Sequence, residues 1–363
     1  MPEGNKKDKK SALHVKEGVD QPSQINPLAA GRLKGLKKKE LDAEAYVNGI
    51  LSGDRTIFSK AITLIESTLE KHHQLSQEII TRCLPHSGKS IRLGITGVPG
   101  VGKSTFIEAL GKHLTSNGHK IAVLAIDPSS QRSKGSILGD KTRMEDLAND
   151  PNAYIRPSSS GGSLGGVSRK TREAITLCEA AGYDVIFVET VGVGQSETAV
   201  HSMVDFFLLL MLSGAGDELQ GIKRGIMEMA DAIVINKADG DNIQRAKLAK
   251  AEYENALHMF PPTPSGWMPP VKTCSSVSKN GVPEVWETIL EYMKLTRGNG
   301  FFQEKRQRQN IGIMYEALES KLKELFYRNH EIKSLQKKLE SDILANKMSP
   351  YLAANELIEA FQR

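Results

Sequence analysis

Ile91-Arg92-Leu93-Gly94-Ile95-Thr96, followed at once by Gly97-Val98-Pro99-Gly100-Val101-Gly102-Lys103-Ser104-Thr105, decides the fold of this chain. The first six residues are the short apolar run of a buried strand, and Gly97 to Ser104 match G-x-x-x-x-G-K-[ST]. A helix is expected to open near Thr105, with Phe106, Ala109, Leu110 and Leu114 on its buried face. Strand, glycine-rich loop and helix in that order make a phosphate cradle. Glycines let backbone N–H groups turn inward, and the helix start adds its positive end. Lys103 is placed to reach the β- and γ-phosphates of a nucleotide, and the Ser104 hydroxyl to sit on Mg²⁺. Lys103 is also a catalytic candidate, because phosphoryl transfer depends on positioning and charge neutralisation.

Outward from this loop, further apolar runs fall at Ile121–Ile126, Asp184–Glu189, Phe206–Leu212, Ala232–Asn236 and Val271–Ser275. They are continuous rather than alternating, as strands buried on both faces require. Separated by helical stretches, they predict an α/β protein with a mostly parallel, doubly wound sheet of P-loop NTPase type. Ligands of such sheets lie at the carboxyl ends of the strands. The expected organisation is a basic tail over 1–40, a helical segment over 41–89, a nucleotide domain over 90–296 and a helical arm over 297–363. In the second segment Asp54 reads as an N-cap. In the last, Ile311, Met314, Leu318, Leu322 and Leu325 form one apolar stripe, and Ile332, Leu335, Leu339 and Ile343 another. Ser349-Pro350 reads as a cap and first turn of a final helix. The stripes must be buried either on their own domain or on a partner subunit.

Three acidic positions at predicted strand ends or nearby loops can complete a Mg²⁺ site: Asp127, Asp140 and Glu189. Glu189-Thr190-Val191-Gly192 is a variant of the D-x-x-G element, in which the Gly192 N–H can sense a γ-phosphate. The following Gly194-Gln195-Ser196-Glu197 reads as mobile. Four residues beyond Glu189, where some small GTPases carry glutamine, stands Val193. Slow intrinsic hydrolysis is therefore expected, with Asp127 the candidate for holding the attacking water.

Base selection falls to Asn236-Lys237-Ala238-Asp239, an N-K-x-D sequence after a predicted strand. A carboxylate at Asp239 can accept from both the N1–H and the exocyclic amine of guanine, a donor pair adenine lacks. Asn236 is expected to orient the loop and approach the base, and the Lys237 stem to cover its face. Ser275-Ser276-Val277 supplies a further loop over guanine. GTP and GDP are the expected ligands, and ATP is disfavoured.

Bulk composition narrows the remaining classes. The 363 residues are 39% hydrophobic and 25% charged, ordinary for a globular protein. No run of 18 apolar residues occurs, so stable membrane insertion is not expected. The formal net charge of +5 is matched by the excess of Lys and Arg within residues 1–40, which leaves the rest near neutral and argues against a nucleic-acid groove. That tail lacks an apolar stretch and carries Glu3, Asp8, Glu17 and Asp20, so a cytoplasmic location fits best. Cys83, Cys178 and Cys274 form no C-x-x-C pair and read as reduced and packed.

Taken together, Gly97–Thr105, Asp127–Ser130, Ser133–Met144, Pro157–Arg172, Glu189–Glu197, Gly214–Gly225 and Asn236–Asp239 resemble the methylmalonyl-CoA mutase-associated GTPases of MeaB/ArgK type. The resemblance implies a homodimeric GTP hydrolase that chaperones an adenosylcobalamin-dependent methylmalonyl-CoA mutase, gating cofactor loading and protecting or reactivating the enzyme. It also implies that Gly214–Lys223 is a third switch loop, in which Asp217, Glu218 and Lys223, with Gly192 and Gln195, relay nucleotide state. By the same match the C-terminal helices would be the dimerisation arm. A nickel metallochaperone GTPase, a membrane-associated transport component, and the family's older lysine/arginine/ornithine transport label are the competing readings.

Overall fold

Residues 41–126, 144–157, 164–190, 196–214 and 224–362 are described by a computed structural model. Three helices come first: α1 (Ala43–Leu51), α2 (Arg55–Glu66) and α3 (Glu70–Cys83). Asp54 caps α2 as expected, accepting from the N–H groups of Thr56 at 2.8 Å and Ile57 at 3.0 Å.

The chain then alternates through β1 (Ile91–Gly97), α4 (Lys103–Ser116), β2 (Ile121–Ile126), α5 (Glu145–Ala148), β3 (Ala153–Arg156), α6 (Leu164–Ala180), β4 (Val185–Thr190) and α7 (Ser196–His201). It continues with β5 (Phe206–Leu212), α8 (Arg224–Met229), β6 (Ala232–Asn236), α9 (Ile243–Leu257), β7 (Val271–Thr273) and α10 (Val282–Gly298). Three helices close the chain: α11 (Phe301–Arg328), α12 (His330–Leu344) and α13 (Pro350–Phe361). Ser349 caps α13, accepting from Leu352 N at 3.2 Å with Pro350 in the first turn.

The seven strands form one sheet in the order β3-β2-β4-β1-β5-β6-β7. Every neighbouring pair is parallel. The doubly wound α/β fold read from the sequence is thus present, with β3 added at one edge. Burial explains the continuous apolar runs. Leu93, Val123, Phe187 and Leu208 point to the α4 and α10 side, while Ala122, Ile186, Val188 and Phe207 point to the side of α1–α3 and α6. Strands β2, β4 and β5 are therefore covered on both faces, while at the β7 edge only Val271 is buried. Gly94 permits one close approach: a Cβ there would lie 2.9 Å from side-chain atoms of Phe207, Val200 and Val204. All three cysteines are free and buried.

The ends of the strands opposite the glycine-rich loop carry a polar clasp. Asp205, 1% exposed, accepts from Arg92 N at 2.8 Å and from Arg306 of α11 at 2.8 Å and 2.7 Å. Arg92 forks onto Glu179 at 2.9 Å through both contacts. Arg306 also donates to the Ser90 carbonyl at 2.8 Å. Beyond this clasp α11 leaves the sheet. Its stripe of Ile311, Met314, Leu318, Leu322 and Leu325 is exposed, so it is not packed onto its own domain. The second stripe behaves differently, with Ile332 and Leu339 buried.

Candidate nucleotide site

β1 ends at Gly97 and α4 begins at Lys103, two residues earlier than the sequence suggests. Gly102 takes the cap position with φ 90°, and Gly100 has φ 76°. Both conformations favour glycine. Gly97 is required by proximity instead, because a Cβ would collide with the Leu210 carbonyl on β5. Val98, Pro99 and Val101 complete the loop, with Val101 fully buried as its anchor and Pro99 exposed. Thr105 is also exposed.

Inside the loop, Lys103 donates to the Gly97 carbonyl at 2.9 Å. Burial depresses its ammonium pKa, while the charges of Glu189 and Glu197 oppose that shift. Ser104 Oγ lies 3.3 Å from Glu189 Oε1. Glu189 is the penultimate residue of β4 rather than its tip, and it is buried. Thr190 ends the strand and donates to Thr96 Oγ1 at 2.9 Å, joining β4 to β1 beneath the loop. A hydroxyl and a carboxylate side by side are the hard oxygen donors Mg²⁺ prefers, so these two residues fit that ion.

At the neighbouring strand ends, Asn236 ties the surrounding loops together. Its Nδ2 donates to the Val101 carbonyl at 2.8 Å, and its Oδ1 accepts from Ser276 Oγ at 2.8 Å and Ser276 N at 3.2 Å. Cys274 Sγ donates to the same oxygen at 3.4 Å. The amide thus acts as a strut between loops. Lys237 is exposed with φ 59°, so its stem is free to lie along a ligand. Ala238 N donates to the Cys274 carbonyl at 2.9 Å, tying this turn to the segment after β7. Asp239 accepts a hydrogen bond from Ser275 Oγ, which is itself buried and receives Ser278 N at 3.1 Å. Val277, 80% exposed, offers an apolar surface beside them. β7 ends at Thr273, so Ser275–Val277 form a loop rather than a strand end.

Glu197 is the residue sequence reading misplaced. It lies in the first turn of α7 and is buried, rather than standing in a mobile stretch. A lone glutamate after a glycine-rich motif carries no periodic signal, and its position follows only from the helix packing down on Gly94. Asp127, Asp140, Gly192, Val193, Gln195, Asp217, Glu218 and Lys223 lie outside the described residues.

A parallel sheet with a glycine-rich loop, a half-buried lysine, a serine–glutamate pair and an adjoining N-K-x-D turn defines a P-loop GTP hydrolase. The family model described as "Methylmalonyl Co-A mutase-associated GTPase MeaB" matches residues 58–331. The chain is 44% identical over 316 residues to "GTPase ArgK" of Escherichia coli K12, covering 87% of this chain and 96% of that protein. It is 45% identical over 340 residues to the mouse "Methylmalonic aciduria type A homolog, mitochondrial", covering 91% and 82%. Among solved structures, "LAO/AO transport system kinase" superposes with a TM-score of 0.72 at 38% identity, covering 88% of this chain and 98% of that one. The chain belongs to the methylmalonyl-CoA mutase-associated GTPase MeaB family.

Proposed function

We propose that this GTPase is a nucleotide-driven chaperone of an adenosylcobalamin-dependent methylmalonyl-CoA mutase, gating cofactor loading and protecting or reactivating that enzyme. The supporting observation is family membership together with a site whose two halves, the phosphate loop and the guanine turn, are joined by Asn236. In this reading the loop amides of 97–102 and Lys103 hold the β- and γ-phosphates and stabilise charge as the γ-phosphoryl departs. Asp239, oriented by Ser275, accepts from the guanine edge, and Lys237 and Val277 flank the ring. Ser104 and Glu189 would hold Mg²⁺, with Asp127 and Asp140 as further candidates, and the ion would neutralise phosphate charge. Asp127 would hold the attacking water, and turnover would be slow until a partner completes the site.

The working form would be a homodimer joined through α11, whose exposed apolar stripe needs cover. Asp217, Glu218, Lys223, Gly192 and Gln195 would relay nucleotide state to the mutase. A cytoplasmic location is part of the proposal; no helix among the described residues is long and apolar enough to cross a membrane. Co-purification with methylmalonyl-CoA mutase in GTP and in GDP tests the reading. A complex whose affinity differs between the two nucleotides is expected, and no complex in either state would overturn the chaperone assignment while leaving GTP hydrolysis intact.

A further inference from the structure

Helix α7 connects the phosphate site to the opposite end of the sheet. Its first turn carries buried Glu197, whose charge bears on Lys103, and it ends at His201. Residues 202–205 then lead into β5, and α11 grips that connector along several turns. Lys305 Nζ donates to the Asp205 carbonyl at 2.7 Å. Arg306 holds the Asp205 carboxylate, and Gln309 Nε2 donates to the Val204 carbonyl at 2.9 Å. The fourth hold is indirect. Arg172 of α6, itself buried, donates to Ser202 Oγ at 2.7 Å and forks both guanidinium nitrogens onto Glu316 of α11. Ser202 Oγ in turn donates to the Ala199 carbonyl inside α7 at 2.7 Å.

The two ends of this grip differ in kind. At Arg306 it is a buried, fully paired clasp. At Glu316 the side chain is 54% exposed, on the helix face opposite the uncovered stripe of Met314, Leu318 and Leu322. Between the ends a solvent-open cleft of about 450 Å³ lies among α3, α6 and α11, lined by Arg172, Met203, Gln309 and Ile313. Helix α11 is thus held by a buried pair at its root and by a half-exposed pair at Glu316.

We infer that Arg172 is a positioning residue through which Glu316 on α11 sets the rate of GTP hydrolysis, by pinning Ser202 and so the seat of α7 against Gly94 of β1, the strand that ends in the phosphate loop. Rate is the sensitive quantity, because small displacements of catalytic groups cost turnover more than binding. The inference rests on the GTP hydrolase reading and adds a regulatory input to it.

The test is a double-mutant cycle in the full chain with Glu316→Gln and Ser202→Ala, both conservative in size. With one polar tie lost, kcat is expected to fall about three- to tenfold in each single variant. The double variant should fall no further than the lower single, because both remove the same tie. GTP affinity by calorimetry should stay at the wild-type value, while the midpoint of denaturant unfolding falls only slightly in both variants. An unchanged or raised kcat in Glu316→Gln, or two losses that simply multiply, overturns the inference. Failure of the wild-type chain to bind GTP at all would instead defeat the hydrolase reading.

Discussion

Asn236 Nδ2 donates to the Val101 carbonyl at 2.8 Å, fastening the end of β6 to the glycine-rich loop. The same side chain accepts from Ser276 on its other side, and both partners are buried. Truncation to alanine strands a carbonyl and a hydroxyl in the interior. Each stranded group costs about 1–3 kcal/mol. Asn236→Ala is therefore expected to lower both stability and GTP affinity, the latter by at least about tenfold. Denaturant unfolding and calorimetry on one preparation check both; full affinity with lowered stability would show the strut to be purely structural.

Asp239 is expected to set base preference. Asp239→Asn reverses half of the hydrogen-bonding pattern, so affinity should fall about 10²- to 10⁴-fold for GTP while xanthosine triphosphate gains. Ser275→Ala, which frees the carboxylate without removing it, should cost less and leave guanine preferred. Competition binding with the two nucleotides measures this, and an unchanged preference in Asp239→Asn would remove the residue from the base site.

Lys103 gives a pH dependence. Burial lowers its pKa from the ordinary 10.5 in the nucleotide-free protein, and bound phosphate raises it again. The protonated form is thus favoured in the complex. GTP affinity should be full below the lowered value and decline as pH rises through it, with protons taken up on binding within that window. Calorimetry in alkaline buffers of different ionisation enthalpy reads the uptake directly. Lys103→Met should abolish both the uptake and most of the binding.

Arg306→Ala should be among the more destabilising changes in the chain, at about 3–5 kcal/mol, because it leaves the Asp205 charge buried without its main partner. The midpoint of urea unfolding is the measurement. A loss under 1 kcal/mol, roughly the worth of a surface pair, would mean water reaches the clasp.

The exposed stripe on α11 predicts an assembly. Leu318→Glu combined with Leu322→Glu places two charges on it without disturbing buried groups. Light scattering should then give half the wild-type mass with the melting profile of the nucleotide domain retained. Equal masses would dismiss the homodimer through this face.

Much of this architecture could be read in advance. Runs such as Phe206–Leu212 and Ile121–Ile126 are buried on both faces, and two-sided burial leaves a continuous apolar signature. β3 escaped notice because Ala153–Arg156 is four residues long and pairs along one side only. Strand order was not accessible, since it depends on which crossover packs where. At the site, Lys103 and Ser104 follow from local spacing. The strut made by Asn236 does not, because its partners Val101 and Ser276 lie far away in sequence and meet it only once β6 stands between them. Arg172, Ser202 and Glu316 are likewise scattered over three helical regions whose meeting is a matter of tertiary packing.

Both margins of the sheet are small: β3 spans four residues and β7 three. An unpaired margin is where a foreign strand adds, and brevity denies it the run of hydrogen bonds that amyloid-like growth requires. Strand addition at either margin is thereby disfavoured, which steers this protein away from open-ended fibrils.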